Sequence, residues 1–133
     1  MVNVWVPLVK ADANNGCMQF IPDSHHLGLQ KHFDRNEYLE LDPSVVEPLQ
    51  HQAVNIEVEP GDVVLFGQLL FHCALPNNSD HVRWSFDFRY QDAKAPTLRR
   101  EKGHMARSLL HPDQVVCDSD HWSKLELGGP NPR

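Results

Sequence analysis

Val82-Arg83-Trp84-Ser85-Phe86-Asp87-Phe88-Arg89-Tyr90 alternates without a break. On an extended chain, Arg83, Ser85, Asp87 and Arg89 fall on one side, and Trp84, Phe86, Phe88 and Tyr90 on the other. A period of two with aromatic residues on one face predicts a strand and sets the fold class as mainly all-β. On an exposed strand the polar file would simply meet water. Inside a barrel it would be costly unless it met a ligand or paired charges. The aromatic file needs cover of its own, so a chain that leaves it bare is expected to carry an apolar patch and to self-associate.

Upstream of this strand, Pro76-Asn77-Asn78-Ser79-Asp80 is a cluster of turn formers, and Gln68 to Leu75 reads as another strand. A tight turn centred on Asn77-Asn78 would pair His72 with Arg83 and Phe71 with Trp84. Directly opposed residues share a face, about 4.5–5.5 Å apart at Cα. This register predicts that an imidazole able to bind metal and a guanidinium look into one pocket. Read alone, His72 is as readily a hydrogen-bonded core histidine, and Arg83 one half of a salt bridge. The two together suit a 2-oxo acid. Such an acid chelates iron through one carboxylate and its ketone, and its far carboxylate wants a permanently charged, forked partner.

Working further outward, Val2 to Val9, Cys17 to Ile21, Ala53 to Val58 and Asp62 to Phe66 also read as strands. Asp12 to Gly16 is a turn, and Pro60-Gly61 is placed for a type II turn. Residues 23 to 52 are polar and weakly periodic, and are expected to form a long excursion holding one short helix. After Gln91 the chain is expected to be mostly irregular, with a helix over His121 to Leu127. Short strands joined by turns point to an antiparallel sandwich or barrel. The 133 residues suit one domain, taken here as 1–133.

The bulk numbers exclude some partners. A formal charge of −6 argues against nucleic acid or an anionic membrane surface. No apolar run is long enough to span a bilayer. Three cysteines, Cys17, Cys73 and Cys117, match no zinc or redox spacing and point to a reducing, cytoplasmic setting. His32-Phe33-Asp34 and His111-Pro112-Asp113 have the form His-x-Asp, but neither adjoins the segment around His72 and Arg83, and neither is taken as an iron site. His25-His26 reads as a polar loop.

Several of these segments taken together resemble the phytanoyl-CoA dioxygenase family. They are Val4-Trp5-Val6-Pro7-Leu8, Asn14-Asn15-Gly16-Cys17-Met18-Gln19-Phe20-Ile21-Pro22-Asp23-Ser24-His25, Gly61-Asp62-Val63-Val64-Leu65-Phe66, His72 and Arg83-Trp84-Ser85. Arg89-Tyr90-Gln91 and Ala106-Arg107-Ser108 are similar to the family's C-terminal segment. The likeness covers nearly the whole chain and includes the eleven-residue step from His72 to Arg83. Asp23 departs from it, standing where the family often has Gly.

The resemblance implies a double-stranded β-helix, or jelly roll, that uses Fe(II) and 2-oxoglutarate to hydroxylate a small molecule. It implies His72 as the last iron ligand, Arg83 as the anchor of the oxoacid's far carboxylate, and Trp5 and Ser85 beside that carboxylate. The family's His-x-Asp ligands lie before the strand that here begins at Met1. The expectation is therefore a C-terminal part of a jelly roll, incomplete at its N-terminus and inactive alone. A non-catalytic jelly-roll binding module and a halogenating relative remain open as alternatives, as do the substrate and the oligomeric state.

Overall fold

Along β1 (Val2–Pro7) Asn3, Trp5 and Pro7 are buried, and Val2, Val4 and Val6 alternate with them on the outer face. In the computed structural model, which describes residues 1–35, 39–92, 105 and 107–123, β1 is the middle strand of a three-stranded antiparallel sheet. Its neighbours are β6 (Val64–Gly67) and β8 (Ser85–Tyr90). The register sets Trp5 beside Val64 and Asp87, and Asn3 beside Phe66 and Arg89. The inner face of β8 therefore carries Ser85, Asp87 and Arg89, as the alternation of that segment predicts.

A second three-stranded antiparallel sheet places β2 (Met18–Phe20) between β5 (Val54–Ile56) and β7 (His72–Ala74). Phe20 lies opposite His72, and Met18 opposite Ala74. The two sheets meet through Phe20 and Phe66, whose rings are 4.9 Å apart. Trp5, Cys17, Met18 and Phe66 form the buried cluster there, with Ala11, and Phe20, Ile56 and Leu75 pack against it. Burying a side chain such as Trp5 or Phe66 contributes about 1.5–3 kcal/mol, so this junction is a main source of stability. Successive strands after β5 alternate between the sheets: β6 in the first, β7 in the second, β8 in the first.

This alternation overturns the expected hairpin. His72 does not pair with Arg83, nor Phe71 with Trp84, because β7 and β8 belong to different sheets. Neither Asn77 nor Asn78 takes the positive φ that a two-residue hairpin turn demands. Instead Asn77 Oδ1 accepts from the Ser79 amide at 2.9 Å, and Asn77 Nδ2 donates to the His81 carbonyl at 2.8 Å. Asn78 N–H is drawn to the Asn14 carbonyl, 2.9 Å away. The segment is a loop held by side chains, and it carries the chain across the sandwich. Gln68 to Leu70, expected as strand, is a turn closed by Leu70 N–H on the Gly67 carbonyl.

The excursion over 23–52 holds more than one short helix. It contains the hairpin β3 (His32–Asp34) with β4 (Leu39–Leu41), α1 (Pro43–Val46) and two 3-10 turns. Asp42 caps α1 by accepting from the Ser44 amide at 2.9 Å, with Pro43 at the first helical position. The Pro60-Gly61 turn is as expected, with Gly61 at φ 103° and Asp62 N–H bonded to the Glu59 carbonyl. Both sheets lie in a compact unit, Met1–Tyr90, and Gln91–Arg133 forms a second. Within the second, the described residues include a 3-10 turn, Pro112–Gln114, and α2 (Ser119–Ser123). The expected helix over His121 to Leu127 starts earlier, and its residues 124–127 lie outside the described residues. Among the described residues no helix is long and apolar enough to cross a membrane.

Gly16 closes the Asp12 turn between β1 and β2. It sits at φ 87°, and a Cβ there would lie 2.7 Å from the Leu75 carbonyl oxygen. Left-handed φ costs an L-residue about 1–2 kcal/mol, and overpacking against backbone adds about 1–3 kcal/mol. Gly16→Ala should therefore lower the midpoint of thermal unfolding by roughly 10 °C or more. A circular-dichroism melt unchanged from the parent would show that the turn relaxes freely.

The outer face of the first sheet is apolar and bare. Leu65 and Phe88 flank Val4, and Phe86 flanks Val6. Leu65, Phe86 and Phe88 are 63%, 52% and 44% exposed, as the uncovered aromatic file leads one to expect.

Candidate active site

The first residue of β7 is held from three directions. His72 Nδ1 lies 2.8 Å from the Leu70 carbonyl oxygen. A carbonyl only accepts, so Nδ1 carries the hydrogen, and the neutral ring keeps a lone pair on Nε2. That is the arrangement a metal-binding imidazole needs, since a backbone carbonyl on the far nitrogen fixes both tautomer and orientation. The ring also packs edge-on at one side against Phe66 at 4.8 Å, with Phe20 beyond at 6.3 Å. The backbone just before it is tied by Ser24, whose hydroxyl donates to the Ile21 carbonyl at 2.7 Å and accepts from the Phe71 amide at 2.8 Å.

Arg83 approaches from the other sheet, just ahead of β8. Its guanidinium carbon lies 5.2 Å from the centre of the Trp5 ring, a cation–π distance. Its Nη1 donates to Ser85 Oγ at 3.1 Å. Among the described residues no carboxylate forms an ion pair with it. Burial pushes the Cys17 thiol above its usual pKa, the Glu57 carboxylate adds to this, and the Arg83 charge opposes it. His72 stands opposite Phe20, three residues along from Cys17. Arg83 stacks on Trp5 and His72 packs against Phe66, and these two aromatic residues belong to one buried cluster, so the guanidinium and the imidazole adjoin the same core.

Two buried polar residues carry no signature of their own in the sequence. Asn3 is 5% exposed, donates from Nδ2 to the Phe66 carbonyl at 3.4 Å and accepts from Arg89 Nε at 3.2 Å. The one available clue is an amide two residues before Trp5 on the inward side of a strand. Ser24, 3% exposed, shows its role only through the contact with Phe71, 47 residues away. Ser24→Ala would leave the buried Phe71 amide without a partner, at a cost of about 1–3 kcal/mol. A fall of several degrees in the unfolding midpoint is expected, and a melt within error of the parent would refute the role.

The His-x-Asp triplets stand elsewhere. His32-Phe33-Asp34 is β3, paired only with β4. His111-Pro112-Asp113 lies at the 3-10 turn of the second unit. Ala106 lies outside the described residues, so the resemblance at Ala106-Arg107-Ser108 has no structural counterpart here.

Residues 1–85 match the family Phytanoyl-CoA dioxygenase (PhyH). The chain belongs to that family. It is a family of Fe(II)- and 2-oxoglutarate-dependent dioxygenases. A curated relative, Phytanoyl-CoA dioxygenase domain-containing protein 1 of Mus musculus, is 28% identical over 101 residues, which are 70% of this chain and 34% of the relative. Among solved structures, the chain is similar to the non-haem α-ketoglutarate-dependent carbocyclase SnoK from nogalamycin biosynthesis. That match has a TM-score of 0.55 and 27% identity, over 99% of this chain and 46% of that one. EvdO2 from Micromonospora carbonacea var. aurantiaca, complexed with 2-oxoglutarate, matches in fold with a TM-score of 0.50 and 24% identity, over 73% of this chain and 42% of that one. The chain thus spans about a third of the mouse relative and under half of each structure. Its several small antiparallel sheets resemble part of a 2-oxoglutarate oxygenase.

Proposed function

We propose that this chain forms the oxoacid-binding part of a jelly-roll, Fe(II)- and 2-oxoglutarate-dependent dioxygenase that hydroxylates a small molecule. One observation carries the reading. An imidazole whose Nδ1 is bonded to a backbone carbonyl and a guanidinium without a carboxylate partner among the described residues pack against Phe66 and Trp5, two members of one buried cluster. A five-carbon diacid with one end on a metal and the other on arginine would use both groups. Alternation of β6, β7 and β8 between two facing sheets is what a double-stranded β-helix requires of its strands.

In this reading His72 Nε2 is one ligand of the iron. Iron, with the oxoacid and oxygen, supplies the oxidising chemistry when bound. Arg83 grips the far carboxylate through two N–H groups, and the Ser85 hydroxyl, already accepting from Arg83, turns its own hydrogen to the same carboxylate. The Trp5 face lies against the guanidinium, shielding the ion pair from water and strengthening it. Phe20 and Phe66 hold the imidazole so that little ordering remains when the metal binds. Among the described residues no carboxylate and second histidine gather around His72, so the proposed iron centre draws its other ligands from outside them.

The test is an anaerobic titration of the intact protein with Fe(II) and 2-oxoglutarate. A charge-transfer absorption that needs both components, and that disappears in His72→Ala, supports the proposal. The same absorption persisting in His72→Ala would sink it and favour an ordinary structural role for the histidine.

A further inference from the structure

The loop that follows β2 turns sharply at Asp23, which has φ 60° and is the one non-glycine residue at positive φ among those described. Glycine takes that conformation more easily than any L-residue. The carboxylate kept there faces two imidazoles. Donor atoms of Asp23, His25 and His26 all lie within 4.8 Å of one another. The two rings lean together, with centroids 4.0 Å apart and planes at 37°. All three side chains are exposed, and among the described residues no other side chain engages them.

The backbone beneath them is fixed. Ser24, between Asp23 and His25, is buried and bonded on both sides, to Ile21 and Phe71. His26 N–H closes the turn on the Asp23 carbonyl at 3.0 Å. A four-coordinate ion with bonds of about 2.0–2.2 Å would hold its ligand atoms roughly 3.3 Å apart. The backbone being anchored, side-chain rotation would have to close the remaining gap of roughly 1.5 Å. Two neutral imidazoles and one carboxylate prefer late first-row divalent ions to magnesium or calcium. Water would fill the open positions on the exposed side.

We infer that Asp23, His25 and His26 form a surface site for a late first-row divalent ion such as Zn²⁺, Ni²⁺ or Cu²⁺, separate from any metal held by His72. His25 also lines a cleft of about 370 Å³ whose other walls are Met1 and Gly67 to Leu70. Leu70 is the residue whose carbonyl orients His72. The ion would therefore sit on the rim of a cleft whose wall reaches the His72 support.

The test titrates the 133-residue chain with Ni²⁺ and follows heat or Ni²⁺ absorption, with Cys73→Ser and Cys117→Ser present throughout. These remove the exposed thiols, of which Cys117 lies 3.9 Å from His121. Saturable binding of one equivalent is expected. His26→Ala and Asp23→Gly should each weaken it by more than about tenfold, and His72→Ala should leave it unchanged. Asp23→Gly removes the left-handed strain, so its metal-free melt should not fall, which separates a lost ligand from a damaged fold. The inference is overturned by absence of saturable binding, by binding that survives His25→Ala/His26→Ala, or by binding that depends on His72.

Discussion

His72→Ala is expected to lower 2-oxoglutarate turnover by the intact protein on the order of a thousandfold or more, with little change in folding. The size follows from where the interaction acts. Losing an outer partner of a metal ligand typically costs about 10- to 100-fold, and losing the ligand itself costs more. The small effect on folding follows from exposure, because His72 is exposed and, among the described residues, its side chain is bonded only to the Leu70 carbonyl two residues before it. Its loss removes edge contacts with Phe66 and Phe20 but opens no closed cavity. A structural histidine would behave in the opposite way, with the melt falling and residual turnover tracking the folded fraction. Turnover and unfolding midpoint measured on one sample distinguish the two, and a variant that keeps a tenth of parental turnover would exclude ligation.

The placement of His72 and Arg83 is not legible in the local sequence. Alternation identified the inward file of the last strand, because a period of two is a property of the segment itself. Which strand pairs with which is decided by contacts far apart in sequence. Asn77 and Asn78 allow a tight turn, yet their side chains bond Ser79 and His81 and build a longer crossing loop. The hairpin expectation therefore has the wrong register; what the structure gives instead is Arg83 stacked on Trp5 and His72 packed against Phe66. The short elements of residues 23–52 are not legible in the sequence for a related reason. Strands of three residues, such as His32–Asp34 and Leu39–Leu41, are too short to establish a period. Ser24 and Asn3 stay silent in the sequence because a hydroxyl or an amide is informative only once its distant partner is known.

The second large effect belongs to Arg83. Arg83→Lys keeps the positive charge but should weaken 2-oxoglutarate binding by about a hundredfold, and Arg83→Met should weaken it further. Lysine offers a compact ammonium in place of a planar fork, and it cannot both donate to Ser85 and present two parallel N–H groups to a carboxylate. It also gives up the flat stacking of the guanidinium on Trp5. Hydrogen bonds to a charged group are worth about 1.5–3 kcal/mol each, so one lost arm and a poorer angle on the other account for two powers of ten. Folding should change little in either variant, since Arg83 is half-buried and has no carboxylate partner among the described residues that would be left without its counter-charge. The deciding comparison is between cosubstrates. In the parent, a 2-oxo acid lacking the far carboxylate should bind far more weakly than 2-oxoglutarate. In Arg83→Met that preference should shrink toward nothing, because the group that reads the carboxylate is gone. If Arg83→Met keeps the parental preference, the carboxylate is held by another residue and Arg83 is a strand residue stacked on a tryptophan.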